Sequence, residues 1–247
     1  MIKLVLGVIF LCLSIYSALS HSEPLRFSYW ADATPPFADI KDNKVQGGIL
    51  KDLGESIGAE LNLPVEFVNI PVPRIESQLQ AGLIDVDCIT SPIWKETPEA
   101  YHWSPVLFEG SDRFLVKREL QHKIQSFADL KSLTLGIYKG YIYHQDIMDM
   151  IARDEIKTIK VTGIEHGIKL LQLGRLDALV DFGILLEYQL KKLSLKDEYA
   201  LADKYADKYD LSCAYSKKSR IPSAAMNDVI NKIINSGKLD KILSKYR

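Results

Sequence analysis

Two aromatic residues flank a proline-rich break near the start of the chain and could stack on a ligand. Trp30 ends the apolar segment 25–30, and Phe37 follows two consecutive prolines. An aromatic ring offers a large apolar contact area and can stack on a planar or cationic group. Because Phe37 stands in a loop, a binding role is favoured over core packing. For Trp30 the two roles fit equally well.

Hydroxyl groups and a predicted helix start supply candidate hydrogen-bonding groups. Thr90 and Ser91 follow a strand-like segment and could donate hydrogen bonds to a ligand, or could simply cap a turn. Gly140 and Tyr141 are predicted to open a helix, whose free N–H groups favour an anion. The alternative for Tyr141 is an exposed tyrosine at the start of that helix.

Patterns typical of catalysis or metal binding are poorer. The five histidines, at positions 21, 102, 122, 144 and 166, lack the short spacing of a metal site. The sequence has no G-x-S-x-G, Walker or G-x-G-x-x-G motif. Asp203 and Asp207 lie in a lysine-rich, helix-like run that indicates surface charge. We therefore expect neither enzyme activity nor a metal or other cofactor.

The composition is that of an ordinary globular protein. The chain has 247 residues, with 31 Lys and Arg against 32 Asp and Glu and a formal net charge of −1. Hydrophobic residues make up 47% of it, which is close to average. This balance excludes a disordered tail and a strongly basic nucleic-acid binder. The length accommodates one or two domains.

Residues 1–20 are predicted to be a cleaved export signal. A basic residue precedes the apolar run 4–13, and small residues lead to a cleavage point after Ser20. An uncleaved anchor is disfavoured because the run is shorter than the ~20 residues that span a bilayer. The mature protein is therefore expected in the bacterial periplasm, without insertion into the membrane. In that oxidising compartment Cys88 and Cys213 form either one disulfide or two buried thiols, and both remain open.

Apolar periodicity alternates between strand and helix along the middle of the chain. The first unit is predicted as strands and helices at 25–30, 50–61, 65–70, 74–81 and 84–90. A second unit begins near residue 119, with strands at 133–138, 158–161 and 176–181 and helices at 141–152, 164–173 and 184–193. The tail is predicted to hold two short strands, near Tyr199 and at 211–215, before terminal helices. This order predicts an α/β fold with parallel sheets flanked by helices.

Two α/β units in one exported chain favour a two-lobed binding protein. In open parallel sheets, ligands sit beyond the carboxyl ends of the strands. Two such sheets facing each other would form one cleft from two sets of strand ends.

Short sequence fragments stand in a fixed order along nearly the whole exported chain. In the first unit they are P-P-F at 35–37, G-G-I-L-K-D-L-G from Gly47, L-Q-A-G-L-I-D at 79–85 and W-S-P at 103–105. Later fragments are F-A-D-L-K-S-L-T-L-G-I-Y-K-G at 127–140, L-G-R-L-D-A-L-V-D at 173–181 and I-N-S-G-K-L-D-K-I at 234–242. Together they resemble the extracellular solute-binding proteins of family 3, the polar amino-acid transporter type.

The resemblance implies a type II periplasmic-binding-protein fold with the ligand cleft between two lobes, each a mainly parallel sheet flanked by helices. Lobe 1 would comprise residues 21–117 and the return segment 204–247, and lobe 2 residues 118–203. Crossover strands near 113–118 and 204–211 would form the hinge. The implied function is that of a monomer that closes around a small-molecule solute and presents it to the membrane permease of an ABC transporter.

Departures from the family pattern bear on the ligand. Amino-acid binders of the family carry a carboxylate-clamping arginine that the matching stretch 94–105 lacks, and the nearest cation, Lys95, is only a point charge. The family loop K-G-T has Tyr141 in place of threonine. The family's acidic position holds Phe182, with Asp181 one residue early, and such a shift reverses the direction of a strand side chain. These departures argue against an ordinary free α-amino acid and fit a ligand that stacks on rings, or one whose charge is met by Arg74.

Three further candidate residues follow from the resemblance. Arg74 stands in a lobe-1 loop close to the cleft and could meet a ligand's charge, or it is a surface arginine at a helix start. Trp94 stands in the stretch that sets specificity in the family, or packs between loops. Asp181 remains a candidate partner for an amino group.

We therefore expect a periplasmic protein that captures a small polar or aromatic solute, amino-acid-like but not an ordinary free α-amino acid. One alternative is a sensory or accessory module that reports the solute to a membrane partner. Another is a dehydratase-type enzyme on the same fold, using groups such as Asp181, Glu96 and Arg74. A neighbouring permease gene would favour transport, and a neighbouring kinase or cyclase gene would favour sensing.

Overall fold

The computed structural model describes residues 22–31, 33–141 and 143–246. Its strands are β1 (Leu25–Trp30), β2 (Asp39–Lys41), β3 (Lys44–Gly47), β4 (Val65–Ile70), β5 (Val86–Thr90), β6 (Tyr101–Trp103), β7 (Phe108–Lys117), β8 (Thr134–Tyr138), β9 (Lys157–Val161), β10 (Ala178–Phe182) and β11 (Tyr199–Ser216). Its α-helices are α1 (Ile49–Leu61), α2 (Val72–Ala81), α3 (Gln145–Ala152), α4 (Ile164–Gln172), α5 (Gly183–Lys192), α6 (Ser223–Asn235) and α7 (Lys238–Ser244). The predicted export signal and its cleavage point after Ser20 lie outside the described residues.

The strands form two parallel groups joined by an antiparallel pair. Their order is β4-β1-β5-β11-β7-β10-β8-β9, with β6 also on β11 and β2-β3 as a separate hairpin. β1 runs parallel to β4 and β5, and β8 runs parallel to β9 and β10. β7 and β11 are antiparallel to each other in the middle. The first group is therefore β4-β1-β5, and the second group is β10-β8-β9.

Helix α1 illustrates how the pattern of apolar residues produces these layers. Ile49, Leu50, Leu53 and Ile57 recur at helical spacing, and all four side chains are fully buried. The helix ends at Asn62, whose left-handed backbone conformation stops it. Its buried face packs on β1 and β4 and against α6 and α7.

Separate buried clusters underlie the two strand groups. Phe27, Leu53 and Ile230 belong to the cluster beneath the first group. The second group has a cluster on each face, one around Phe114 and the other around Leu179. Each parallel group is therefore covered by its own helices, as an α/β fold requires.

A disulfide between Cys88 and Cys213 resolves the alternative that the sequence left open. The two residues face each other on β5 and β11, and both are almost completely buried. The link spans 125 positions of the chain and so restricts the conformations of the unfolded state. In the chain-entropy account, this restriction raises the free energy of unfolding by about 4–5 kcal/mol. It fastens the carboxyl-terminal part of β11 to the first group.

The tail contains one long strand where two short strands and a helix-like run were predicted. β11 continues through Asp203 and Asp207, so these residues lie on a strand and the helix-like prediction was wrong. The physical reason is tertiary: Ala202 and Ala206 are buried against the second group, and β7 provides a hydrogen-bonding partner along the strand. Register shifts accompany this stretch, between 201 and 207.

The predicted division into lobes remains a prediction, with the boundary at 203/204 falling inside β11. The crossover strands implied near 113–118 and 204–211 correspond to parts of β7 and β11, of which β11 pairs with β5 of the first group and β7 pairs with β10 of the second. Within the described ranges, no helix combines the length and apolarity needed to cross a membrane.

A candidate solute site lined by aromatic rings and carboxylates

Parallel pairing brings the candidate residues to the carboxyl ends of two strand groups. In the first group, β1 ends at Trp30 and β5 ends at Thr90. In the second group, β8 ends at Tyr138 and β10 ends at Phe182. Ligand-binding loops of open α/β sheets occupy these ends, because the backbone turns there toward solvent.

The loop that carries Phe37 is held by the start of α1. Ile49 N donates to Pro36 O at 2.8 Å, and Leu50 N donates to Phe37 O at 3.0 Å. Gly48 adopts a φ of 103°, and a Cβ atom there would lie 2.5 Å from the Phe37 carbonyl oxygen. A glycine is therefore required for the helix to begin so close to this loop.

Five aromatic residues form a continuous series of ring contacts, which we call the ring chain: Trp30, Phe37, Phe182, Tyr209 and Trp94. The Trp30 and Phe37 centroids are 5.4 Å apart, and Phe37 stacks on Phe182 at 5.2 Å. Phe182 stacks on Tyr209 at 5.9 Å, and Trp94 meets Tyr209 edge-on at 4.8 Å. The ring chain links residues of the first group with the end of β10 and with β11. Three predicted residues are thus brought together, and two more join them.

Asp181 lies inside β10, buried beside tyrosines. Its Oδ2 accepts a hydrogen bond from the Tyr138 hydroxyl at 2.5 Å, and its Oδ1 accepts one from Phe182 N at 2.7 Å. Burial raises the pKa of Asp181 to about 6 and repulsion from Asp112 adds to the rise, although both hydrogen bonds oppose it. The Asp181 carboxyl therefore changes between its protonated and ionised forms near pH 6.

Asp112 on β7 is a second buried carboxylate of the same site. It accepts hydrogen bonds from the Tyr209 hydroxyl at 2.7 Å and from the Tyr141 hydroxyl at 3.0 Å. Burial raises the pKa of Asp112, and repulsion from Asp207 adds to the rise. Burial and the neighbouring carboxylate also raise the pKa of both tyrosines, so their hydroxyls stay protonated and keep donating.

These carboxylates face neutral donors, whereas the predicted cation is already engaged. The described contacts of Asp112 and Asp181 are with tyrosine hydroxyls and a backbone N–H. Lys95 instead forms a buried ion pair with Asp87, its Nζ lying 3.2 Å from the Asp87 Oδ2. The site therefore places negative charge beside aromatic rings, a combination that suits an ammonium or guanidinium group.

Sequence reasoning missed Asp112 and Tyr209, and also the ring role of Phe182. Asp112 and Tyr209 stand on β7 and β11, nearly a hundred positions apart, and meet because those strands pair. Nothing in the local pattern marks them. Phe182 was noted as a departure from the family's acidic position, and that departure is the signal that could have pointed to its stacking role.

The predicted helix start at Gly140 and Tyr141 is wrong. Helix α3 begins at Gln145, and the His144 side chain caps it by accepting from Asp146 N at 3.3 Å. Gly140 has a φ of 79° and forms a turn, because this left-handed conformation suits glycine. Tyr141 therefore contributes its hydroxyl to Asp112 and does not form part of an anion-binding helix end.

The remaining predicted residues lie near the strand ends of the first group. Thr90 and Ser91 are buried, and Ser91 makes no side-chain capping bond to the short 3-10 helix that follows it. Arg74 lies in the first turn of α2, directly after β4, and is exposed. Its described contacts do not include the ring chain. Among the described residues, no cluster of three or more His, Cys, Asp or Glu is arranged to hold a metal.

Relatives of this chain are named as amino-acid-binding proteins. A protein named probable histidine-binding protein from Neisseria gonorrhoeae is 24% identical over 214 residues, 85% of this chain and 78% of the relative. YxeM from Bacillus subtilis (strain 168), named probable amino-acid-binding protein, is 23% identical over 85% of this chain and 79% of its own length.

Solved structures share the fold. An ancestral cationic amino-acid solute-binding protein, AncCDT-1, superposes with a TM-score of 0.74 at 23% identity, over 90% of this chain and 95% of that one. Another AncCDT-1 structure, described as a precursor of cyclohexadienyl dehydratase, has a TM-score of 0.66 at 22% identity, over 90% of this chain and 94% of that one. The GluR0 ligand-binding core with L-glutamate has a TM-score of 0.71 at 13% identity, over 91% of this chain and 98% of that one. The chain therefore has the type II periplasmic-binding-protein fold.

A family profile covers almost all of the described chain. The profile of the bacterial extracellular solute-binding proteins, family 3, matches residues 29–247. This range includes the ring chain, both site carboxylates and both strand groups except the first four residues of β1. The protein therefore belongs to the bacterial extracellular solute-binding proteins, family 3.

Proposed function

We propose that this protein is a periplasmic receptor for a small solute that carries a cationic nitrogen next to a flat or apolar body. The solute binds between the two lobes, the lobes close around it by a hinge motion, and the closed form delivers it to an ABC permease. The protein acts as a monomer and as a binding protein without turnover. The observation that carries the proposal is the pair of buried carboxylates, Asp112 and Asp181, beside the ring chain.

The electrostatics of the site favour a cation. Burying a carboxylate away from water is unfavourable unless a partner compensates its charge. The tyrosine hydroxyls that contact Asp112 and Asp181 supply hydrogen bonds but no positive charge. A cationic solute would supply that charge and, when seated against the ring chain, would add cation–π attraction.

The absence of a carboxylate-clamping arginine narrows the range of candidate solutes further. The stretch 94–105 has no arginine, and Lys95 is paired with Asp87. A free α-amino acid would thus lack the partner that its carboxylate usually finds in this family. The names of the relatives, histidine-binding and cationic amino-acid-binding, support a nitrogen-rich cation as the solute. We therefore favour amines without a free carboxylate.

Calorimetric titration with paired solutes tests this proposal. Agmatine and arginine share a guanidinium and differ in the carboxylate, and histamine and histidine form a second such pair. We expect agmatine and histamine to bind at least as tightly as their amino acids, and glutamate not to bind. X-ray scattering should show contraction when the solute binds. Preference for glutamate, or no binding with an unchanged scattering envelope, would refute the proposal.

A dehydratase-type activity is the second candidate, and the pKa of Asp181 favours it. A carboxyl group with a pKa of about 6 is suited to proton transfer near neutral pH. One structural neighbour is described as the precursor of a dehydratase. Incubating the purified protein with a prephenate-type substrate distinguishes the candidates, since turnover would establish an enzyme and its absence alongside amine binding would establish a receptor.

A further inference from the structure

An open cavity of about 470 Å³ is lined by none of the ring-chain residues and by neither of the two site carboxylates. One wall is the loop at Thr34 and Pro35, between β1 and β2. The other walls are the start of α4 and the later part of α5, which pack on the second strand group. The cavity therefore lies between segments associated with different strand groups, and an occupant would contact both.

Hydrogen-bond donors line one side of this cavity. N–H groups of the first turn of a helix have no helical acceptor, and α4 begins after Gly163 without a capping side chain to accept from them. Gly163, Ile164 and Glu165 all line the cavity. The Lys192 side chain at the end of α5 also lines it. A helix N-terminus with a nearby lysine attracts a carboxylate.

An unpartnered acceptor lines the same cavity. Gln189 on α5 is only 4% exposed, and its Oε1 accepts no hydrogen bond from the described part of the chain. Leaving a buried polar atom without a partner is unfavourable, so Gln189 needs a donor. The Glu165 carboxylate supplies a second acceptor and a negative charge. An ammonium group satisfies both.

We propose that this cavity is a second binding site, which takes the ammonium and carboxylate groups of a small zwitterion. The carboxylate contacts the first turn of α4 and Lys192, and the ammonium donates to Gln189 Oε1 beside Glu165. The site uses none of the residues of the ring chain. Because its walls come from both sides of the molecule, its occupant stabilises the present arrangement of the two strand groups.

Titration with three probes tests the second site: glycine, acetate and methylammonium. Saturation-transfer NMR in a background carrying Asp112→Asn and Asp181→Asn keeps binding at the ring chain out of the signal. We expect glycine to bind about tenfold more tightly than acetate or methylammonium, because only glycine satisfies both sides. Gln189→Leu should weaken glycine binding about tenfold, and Gln172→Leu, the same change at an exposed position of α4, should not alter it.

A second variant keeps the test decisive if Gln189→Leu impairs folding, which a melting curve reveals. A Cβ atom on Gly163 would meet nothing within 4 Å, so Gly163→Leu can extend into open space without displacing the core. We expect this variant to abolish the glycine signal. Equal binding of the three probes, no glycine binding, or glycine binding unchanged in both variants would overturn the proposal. None of these outcomes depends on whether amines bind at the ring chain.

Discussion

Buried carboxylates occur in two regions of this protein, and their surroundings differ. In the first strand group, Asp85 accepts hydrogen bonds from the Arg26 Nη2 at 2.9 Å and Nε at 3.0 Å. Burial by itself would raise the pKa of Asp85, but the hydrogen bonds and charge of Arg26, together with a hydrogen bond from Ser219, outweigh it and lower the pKa. Near the ring chain, the pKa of both Asp112 and Asp181 is raised.

This difference separates charge that the fold itself compensates from charge that we propose to serve solute binding. Asp85 is compensated within the fold, so its ionised form stabilises the native state. Asp112 and Asp181 are ionised at a cost to the native state, and an external cation would remove that cost. Groups with such perturbed pKa values cluster at functional sites because the function requires their charge. The raised pKa values therefore distinguish the proposed solute site from the ion pairs of the core.

The largest effect should follow from neutralising the site carboxylates. We expect Asp112→Asn combined with Asp181→Asn to weaken binding of the tightest amine by about 100-fold, since a desolvated charge partner is lost. Thermal unfolding at pH 7 should show the variant to be more stable by about 2 kcal/mol, because buried charge is removed.

Asp85→Asn is the matched control for that pair. It should leave amine affinity unchanged in calorimetry and lower stability by about 2 kcal/mol, because Arg26 loses its partner. If the control weakened amine binding as much as the double variant does, the distinction between the two regions would be wrong.

A smaller effect should come from pH. As pH falls through about 6, Asp181 gains a proton and loses its attraction for a cation, so amine affinity at pH 5 should be about tenfold below that at pH 7.5. The folded state favours the protonated form of this carboxyl, so its contribution to stability rises as pH falls from about 6 toward the ordinary value of 3.8. Titrations at both pH values check this, and the dependence should diminish in Asp181→Asn. Tighter binding at pH 5 would contradict the assignment.

The smallest effect should come from removing one ring. Phe182→Leu retains apolar volume but loses the stacking contacts with Phe37 and Tyr209. We expect this loss to lower amine affinity about fivefold. Phe67→Leu is the matched control, because Phe67 meets Phe27 edge-on within the first strand group. Calorimetry should show a change only for Phe182→Leu. An equal loss in both variants would assign the effect to general packing.

Local sequence patterns predicted most of the repeating architecture, because helix and strand periodicity reflects burial directly. Strand β1 and helix α1 follow from such patterns. The site could be predicted only in part. Trp30, Phe37 and Asp181 carry local signals or family positions, whereas Asp112 and Tyr209 acquire their roles through the long-range pairing of β7 with β11. The prediction of a helix start near Tyr141 failed because the side chain of His144 caps the helix, which therefore begins four residues later, at Gln145.

The position of β11 in the sheet has a consequence for the order in which the sheet forms during synthesis. Strand β5 ends at Thr90, but the strand beside it, β11, is not complete until Ser216. A growing chain therefore exposes an unpaired edge of β5 until nearly all of it has been synthesised. Long-range strand pairing of this kind is slow to form. This order therefore keeps the first strand group incomplete until almost the whole chain has been synthesised.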